Sequence, residues 1–274
     1  MKVVLDKKRV AEHFGSCLET YEDNATVQQE ISRQFFNLLS RYEIKEFSKV
    51  LEIGCCTGFL TELICSAHEV KTIWLNDIVP EFCVATAERI NRLRQDNLPQ
   101  HDFRIKEKEY VKEIHLLPGD IEKTNLPEGL DIVLSSSTFQ WLQDLERLFG
   151  RIYGCLNEGG ILAFSLFGPG TMEEIRLLTG RGLPYLPHSE LQKITASFFD
   201  IVHIHRERKR IYLPSVRAVL RHIQKTGVGG LGRPGWTISE FRKFENEYRA
   251  RFETDLGIPV SYVSTFIIAR KPET

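Results

Sequence analysis

Short apolar runs alternate with amphipathic stretches between residues 49 and 167, and this alternation predicts a parallel sheet. The runs are four to seven residues long, as expected of buried strands, and helical periodicity fills most of the intervals. The predicted strands are Lys49–Ile53, Thr72–Leu75, Ile114–Leu117, Leu130–Ser135 and Ile161–Phe167. The predicted helices between them are Phe59–Ser66, Glu81–Arg94 and Gln143–Leu156. This order indicates an α/β fold with a Rossmann-like, doubly wound sheet.

The segments on either side of this core have different patterns. Residues 7–41 have helical spacing, interrupted by a break at Tyr21–Asn24. The elements predicted after the core are a helix at Ser189–Phe198, a strand at Ile201–Leu213, helices at 214–226 and 237–252, and a strand at Val260–Arg270. The sheet is therefore predicted to be seven-stranded and mostly parallel. We expect the helical insertion before the last strand to form a lid at the carboxyl edge.

Composition narrows the class of protein. The chain has 42% hydrophobic and 27% charged residues, which is typical of a soluble globular protein, and its net charge of −1 argues against a nucleic-acid binder. No apolar run approaches the roughly 20 residues that span a membrane, and the N-terminal MKVVLDKKRV lacks a signal-peptide pattern. The six cysteines form no zinc-type spacing, so we expect free thiols, no metal and a cytoplasmic location.

A turn containing two glycines follows the first predicted strand, within VLEIGCCTGFLTELI (Val50–Ile64). Gly54 and Gly58 stand where the backbone must turn sharply or approach a ligand closely. Their spacing differs from the GxGxxG of dinucleotide-binding loops. Glu52, just before the turn, would repel a phosphate but suits the amino group of an amino-acid moiety. The loop therefore favours S-adenosylmethionine over NAD.

Acidic residues end the next two strands. Asp77 stands about 20 residues after the glycine turn, where a carboxylate accepts hydrogen bonds from ribose hydroxyls. Asp120 follows the third strand and is placed to accept a hydrogen bond from the adenine amine. Ile78 and Ile121 offer apolar surfaces on either side of the base. Glycine and acidic residues at three successive strand ends together predict a nucleoside site.

These residues resemble the motifs of class I S-adenosylmethionine-dependent methyltransferases. The similarity rests on the glycine turn, Asp77, the Gly119–Asp120 pair and the strand DIVLSSSTFQW. The resemblance implies that Ser135 also contributes to the cofactor site and that Tyr21 closes over it from the N-terminal segment. The family usually has GCGxG in the turn. Cys56 replaces the middle glycine here, so the backbone at that position must suit a non-glycine residue.

Further segments narrow the resemblance. They are FGSCLETYEDNATVQQEI (Phe14–Ile31), SSSTFQWLQDL (Ser135–Leu145), FSLFGPGTMEEI (Phe164–Ile175), LRHIQKTGVGG (Leu220–Gly230) and YVSTFIIARK (Tyr262–Lys271). All are similar to the malonyl-[acyl-carrier protein] O-methyltransferases of biotin synthesis. The resemblance implies methyl transfer from S-adenosylmethionine to the free carboxylate of malonyl-acyl carrier protein, with S-adenosylhomocysteine as product. The resulting methyl ester starts pimeloyl synthesis for biotin.

This chemistry needs alignment more than acid–base catalysis, because a carboxylate is already ionised and nucleophilic at pH 7. We therefore assign no catalytic acid or base. A malonyl carboxylate calls for a cationic partner, preferably an arginine. The candidates are Arg176, Arg206 and Arg221. Gln140 and Trp141, which follow the fourth strand, are expected to face the mouth of the pocket.

The C-terminal part of the chain is basic. Residues 201–274 contain 14 Lys and Arg against 7 Asp and Glu. The predicted helix 214–226 carries Arg217, Arg221 and Lys225 on one face and apolar residues on another. Because acyl carrier proteins are acidic, we expect this basic face to dock the carrier.

The chain is expected to be one domain, 1–274, with an N-terminal helical lid (1–45), a cofactor-binding core (46–170) and a substrate lid with the last strands (171–274).

Other functions stay open at this point. The same core would serve a methyltransferase for another small carboxylic acid or metabolite. A non-catalytic protein that binds the cofactor or a partner is a second alternative. An NAD enzyme is disfavoured by the glycine spacing.

Overall fold

A seven-stranded sheet runs through the part of the chain that the structure, a computed structural model, describes: residues 5–42, 48–96, 111–226 and 236–273. The strands are β1 (Lys49–Ile53), β2 (Val70–Asp77), β3 (Val111–Pro118), β4 (Leu130–Ser136), β5 (Leu156–Phe167), β6 (Asp200–Leu213) and β7 (Ile258–Arg270). Their order is β3-β2-β1-β4-β5-β7-β6. The first five are parallel, whereas β7 is antiparallel to both β5 and β6. The predicted fold class is confirmed.

Helices cover both faces of this sheet. They are α1 (Lys7–Gly15), α2 (Tyr21–Asn24), α3 (Thr26–Leu39), α4 (Phe59–Ala67), α5 (Pro80–Asp96), α6 (Leu145–Cys155), α7 (Glu173–Thr179), α8 (His188–Ala196), α9 (Val216–Lys225) and α10 (Ile238–Phe252). Buried side chains of α3, α4, α5, α9 and α10 share one apolar core with the sheet. Those of α6 and α8 form a second core on the other face. The alternation of strands and helices produces these layers because the central strands β1, β4, β5 and β7 are buried on both sides.

Local capping signals explain where several helices begin. The side chain of Asp144 accepts a hydrogen bond from the Arg147 N–H at the start of α6, and Ser215 does the same for Ala218 at the start of α9. Thr237 and Glu240 form a reciprocal capping box at the start of α10. Each of these caps satisfies backbone N–H groups that have no partner inside the helix.

Four elements differ notably from the sequence-based expectations. Tyr21–Asn24 is not a break but the short helix α2, in which the Asn24 side chain donates to the Thr20 carbonyl at 2.6 Å. Strand β5 begins at Leu156 rather than Ile161. The helix α7 and a 3₁₀ turn at Phe139–Trp141 were not predicted, because one or two helical turns are too short to display a clear period.

The helical insertion lies where it was predicted, between β6 and β7. Both α9 and α10 therefore leave the sheet at its carboxyl edge, beside the end of β5. The Cys17 thiol of the N-terminal segment contacts the Gln224 carbonyl of α9 at 3.5 Å, so the two flanking segments meet there. Within the described ranges, no helix has the length and apolar character required to cross a bilayer.

Candidate active site

A cleft opens at the carboxyl ends of β1 to β4, and residues of α1 and α2 form its opposite wall. Carboxylates, glycines, hydroxyls and aromatic rings all contribute to its surface. The lining residues are Lys7, Val10, Phe14, Tyr21, Gly54, Cys56, Asn76, Asp77, Ile78, Phe82, Gly119, Asp120, Ile121, Ser136, Ser137, Thr138, Trp141 and Leu142. The carboxyl edge is the usual ligand-binding side of an open parallel sheet.

The glycine turn after β1 is shaped by its neighbours. Gly54 has φ +74°, and a Cβ placed on it would come within 2.0 Å of the Thr138 Oγ1 atom. Gly58 has φ +80° and begins α4, where a Cβ would come within 2.9 Å of Thr86 Cγ2. Cys56 adopts the left-handed conformation (φ +48°) without being glycine. Both glycines are thus required by conformation and by space.

We expect Gly54→Ala to destabilise the protein by about 2–4 kcal/mol, because alanine is strained at positive φ and its methyl group collides with Thr138. Urea denaturation would measure this loss. Gly154→Ala is the matched control, since a Cβ at Gly154, inside α6, meets no atom within 4 Å. Gly154→Ala is expected to leave the free energy of unfolding unchanged or to raise it slightly. Equal stability of both variants and the parent would contradict the steric account of the turn.

Asp77 at the end of β2 is the organising carboxylate of the cleft. Its Oδ2 atom accepts a hydrogen bond from the Cys56 N–H at 3.0 Å, and its Oδ1 atom accepts one from the Val79 N–H at 2.9 Å. Burial raises the pKa of the Asp77 carboxyl to about 6, although these backbone hydrogen bonds act in the opposite direction. Each oxygen retains acceptor capacity toward the cleft.

Glu52 lies beneath the glycine turn and does not line the cleft. The side chain is buried in β1, and its Oε2 atom accepts a hydrogen bond from the Thr61 hydroxyl of α4 at 2.5 Å. Burial raises the pKa of the Glu52 carboxyl to about 8, and the nearby Asp77 carboxylate contributes in the same direction. Glu52 therefore ties α4 to β1 directly behind the turn.

The far end of the cleft contains the second predicted acid. Asp120 lines the wall together with Ile78 and Ile121. The Lys7 ammonium of α1 donates to Asp120 Oδ1 at 2.6 Å and also contacts the Glu122 carboxylate. Lys7 was not predicted, because nothing in the local sequence of α1 relates it to a residue more than one hundred positions away.

Tyr21, which the resemblance places over the cofactor, stands at the cleft wall. Its ring packs edge-on against Phe82 with the ring centroids 5.8 Å apart. The Tyr21 hydroxyl and the Cys56 thiol lie near each other, and burial raises the pKa of both groups. The non-glycine residue in the turn therefore lies beside the N-terminal segment.

The tip of β4 differs in detail from the expectation. Ser135 is buried and donates its hydroxyl hydrogen bond to the Ile53 carbonyl at 2.9 Å, so it joins β4 to β1 instead of lining the cleft. Ser136, Ser137 and Thr138 line it instead. Their position directly after a predicted strand was the available signal for them, because carboxyl ends of parallel strands meet at one edge.

Gln140 and Trp141, the two residues expected at the mouth of the pocket, differ in whether they line the cleft. Trp141 lines the cleft, and the Phe14 ring packs against it edge-on at 5.4 Å between centroids. Gln140 lies behind the wall. Its Nε2 atom donates to the Ser137 carbonyl at 2.6 Å, and its Oε1 atom accepts from the Phe167 N–H at 3.3 Å. Gln140 thus joins the ends of β4 and β5.

The three candidate arginines do not line the cleft. Arg176 is exposed on α7, with its side-chain stem near Gly182. Arg206 projects from the edge strand β6, and Arg221 lies on the solvent face of α9. The arginines were chosen by charge alone, and charge does not reveal which way a side chain points. In the ranges that the structure covers, no cluster of three or more His, Cys, Asp or Glu could hold a metal.

The fold and the cleft define the class of protein. Residues 51–162 match the family model described as "Methyltransferase domain". A solved structure of a candidate methyltransferase from Bacillus halodurans is similar over 87% of this chain and 98% of its own, with a TM-score of 0.57 and 15% identity. A Haemonchus contortus phosphoethanolamine N-methyltransferase is similar over 88% and 53%, with a TM-score of 0.52 and 16% identity. The chain has the class I methyltransferase fold.

Curated relatives narrow the class to a family. A malonyl-[acyl-carrier protein] O-methyltransferase of Chlorobium phaeovibrioides is 34% identical over 100% of both chains. Relatives with the same name from Bacteroides helcogenes and Acinetobacter baylyi are each 32% identical, over 98% and 99% of this chain and 100% and 99% of their own. The chain belongs to the malonyl-[acyl-carrier protein] O-methyltransferase family, as the resemblance indicated.

Proposed function

We propose that this protein transfers a methyl group from S-adenosylmethionine to the free carboxylate of malonyl-acyl carrier protein, giving the methyl ester that starts pimeloyl synthesis for biotin. The observation that carries the proposal is the full-length similarity to relatives of that name, at 34% identity over 100% of both chains. It extends beyond the methyltransferase domain at 51–162 into both flanking segments. All six cysteines lie within the described residues and none of them is in a disulfide, which suits a reducing cytoplasm.

The residues of the cleft suit this methyl donor. Asp77 would hold the ribose hydroxyls through the free acceptor capacity of its oxygens. Asp120, with Ile78 and Ile121 nearby, would hold the adenine. Gly54, Gly58 and Cys56 form the turn beside the amino-acid moiety, with Glu52 behind them and Tyr21 across the cleft. A Cβ at Gly54 would collide with the Thr138 side chain, so the turn keeps this shape only with glycine at position 54.

Methyl transfer to a carboxylate does not require the protein to transfer a proton. Bound S-adenosylmethionine supplies an electrophilic methyl group on a sulfonium. The chain aligns the acceptor carboxylate with it and keeps water out of the cleft. Val10, Phe14 and Trp141 form an apolar wall for that purpose. A carboxylate with an ordinary pKa near 4 needs no general base at pH 7.

Mass spectrometry of malonyl-acyl carrier protein, incubated with the protein and S-adenosylmethionine, tests the proposal directly. The expected result is the gain of one methyl group on the malonyl moiety. Acetyl-acyl carrier protein, which has no free carboxylate, is the matched control and should stay unmodified. Methylation of free malonate but not of the carrier-bound form would favour the alternative, a methyltransferase for small carboxylic acids. No transfer to either, despite binding of S-adenosylhomocysteine, would overturn the proposed reaction.

The carrier is proposed to dock on the basic face of α9, formed by Arg217, Arg221 and Lys225. All three side chains are exposed, whereas Val216, Val219 and Ile223 on the other side of the helix are buried. The Arg217 guanidinium lies over the Phe241 ring at 4.9 Å from its centroid, which fixes one charge of the face. An acidic carrier is attracted to such a surface before it binds.

Charge reversal at Arg217 and Lys225 to Glu is expected to raise the KM for malonyl-acyl carrier protein about tenfold at low salt. The effect should fade as salt screens the exposed charges. Lys193→Glu is the matched control, because Lys193 is exposed on α8, on the opposite face of the sheet. Steady-state kinetics at two salt concentrations checks the prediction. An unchanged KM at low salt would remove α9 as the docking surface.

The division of the chain is part of the same proposal. The described parts of residues 1–45 would form a lid over the cofactor, those of residues 46–170 the cofactor-binding core, and those of residues 171–274 the substrate lid with the last strands. Support comes from Lys7, Val10, Phe14 and Tyr21, which line the cleft from the N-terminal segment.

A further inference from the structure

The hydroxyl of Ser137 is a hydrogen-bonding group without a partner. Ser137 lines the cleft, and its Oγ atom is shielded from solvent with no hydrogen bond to any described residue. The neighbouring Ser136 hydroxyl, in contrast, lies 3.1 Å from both Ser32 Oγ and Ser165 Oγ. A buried hydroxyl without a partner is costly, so such a group at a cleft wall calls for an explanation.

The backbone of Ser137 is held in an uncommon conformation. Its φ is +56°, in the left-handed region that non-glycine residues rarely adopt. The Ser137 N–H donates to the Ser165 carbonyl at 2.8 Å, and its carbonyl accepts from Gln140 Nε2 at 2.6 Å. Gln140 is fixed in turn by the Phe167 N–H. Two hydrogen-bonded links to β5, one direct and one through Gln140, therefore hold the strained Ser137 backbone and set the direction of the Ser137 side chain.

Among the residues that the structure describes, no arginine lines the cleft where the acceptor carboxylate would lie. Arg176, Arg206 and Arg221 lie elsewhere, and Lys7 is already paired with Asp120 and Glu122. This arrangement has a chemical rationale, because a guanidinium beside the donor would be repelled by the sulfonium and would withdraw charge from the nucleophile. A neutral O–H donor orients a carboxylate while leaving it nucleophilic.

We propose that the Ser137 hydroxyl binds the acceptor carboxylate and that Gln140 is the positioning residue that holds Ser137 in place. This inference rests on the proposed function. One carboxylate oxygen accepts the Ser137 hydrogen bond, and the other attacks the methyl carbon. The new O–CH₃ bond forms as the S–CH₃ bond breaks, and the electron pair of the broken bond stays on sulfur as a neutral thioether. No proton moves in this step.

Ser137→Gly is the decisive variant, because glycine adopts φ +56° without strain while the hydroxyl is removed together with the Cβ that carries it. The expected result is a fall in kcat/KM for malonyl-acyl carrier protein of about tenfold to a hundredfold, the effect of losing a hydrogen bond to a charged group. The Kd for S-adenosylhomocysteine should stay within about twofold of the parent value, which also reports that the variant folds. Ser197→Ala, on the exposed end of α8, is the matched control.

Gln140→Met separates positioning from simple structural support. If Gln140 acts through Ser137, Gln140→Met lowers kcat/KM in the parent but has little further effect in the Ser137→Gly background. An equal fractional loss in both backgrounds would show that Gln140 supports the fold only. Parent-like kcat/KM of Ser137→Gly would overturn the inference and leave the proposed reaction intact. Absence of methyl transfer by the parent protein would overturn the proposed reaction, and the inference with it.

Discussion

Asp77→Asn is expected to weaken binding of S-adenosylhomocysteine by about a hundredfold or more. The substitution conserves shape but removes the charge and one of the two acceptor oxygens. Both oxygens already accept backbone hydrogen bonds, from Cys56 and Val79, so the new NH₂ group must face one of these donors. Two hydrogen bonds from the ribose to a charged group are lost or weakened together, and each contributes about 1.5–3 kcal/mol.

The same carboxylate gives binding a pH dependence with a defined sign. Because burial raises the pKa of Asp77 to about 6, the ligand-free protein carries a proton there in mild acid. Ribose hydroxyls are bound best by the ionised form. Affinity should therefore increase as the pH rises from 5 to 7 and level off above 7, with binding about tenfold weaker at pH 5.

Isothermal titration calorimetry from pH 5 to pH 8 would test both expectations. Asp131→Asn is the matched control, because Asp131 accepts a backbone hydrogen bond from Lys49 where β1 and β4 begin, at the edge of the sheet opposite to Asp77. That variant should bind like the parent protein and keep its pH dependence. Parent-like affinity of Asp77→Asn would remove Asp77 from the ribose site.

Glu52→Gln should change the pH dependence of stability more than any other single substitution proposed. An acid whose pKa is higher in the folded state than in the unfolded state binds more protons when folded. The parent protein therefore loses stability as the pH rises from about 4.5, the ordinary value, to about 8, the value that burial gives Glu52. The loss at pH 9 is on the order of 5 kcal/mol at most. A neutral glutamine side chain at this position removes this pH-dependent loss of stability.

Urea denaturation of the ligand-free protein at pH 5 and pH 9 would measure this difference. The Thr61 hydroxyl can still donate to the amide oxygen of glutamine, so the tie between α4 and β1 is conserved. We expect Glu52→Gln to be more stable than the parent at pH 9 and close to it at pH 5. Glu146→Gln, at an exposed position of α6, should follow the parent at both pH values. A parallel pH profile for Glu52→Gln would refute the buried-acid account.

The sequence determined the sheet and the turn at its centre. Apolar runs and helical periodicity are local properties, so β1 to β5 and the insertion before β7 were predictable without any contact information. The glycine turn, Asp77 and Asp120 were predictable for a related reason. Carboxyl ends of parallel strands converge at one edge, so residues that follow such strands become neighbours.

Tertiary structure alone decided which side chains face the cleft. Ser135 turns toward β1, whereas Ser137, two positions later, lines the cleft because its contacts with β5 and Gln140 hold its backbone in a left-handed conformation. The pairing of Lys7 with Asp120 joins residues 113 positions apart. Arg206 lies on the edge strand β6, and its side chain is exposed. Such outcomes depend on register and long-range packing, which a single sequence does not encode in any local pattern.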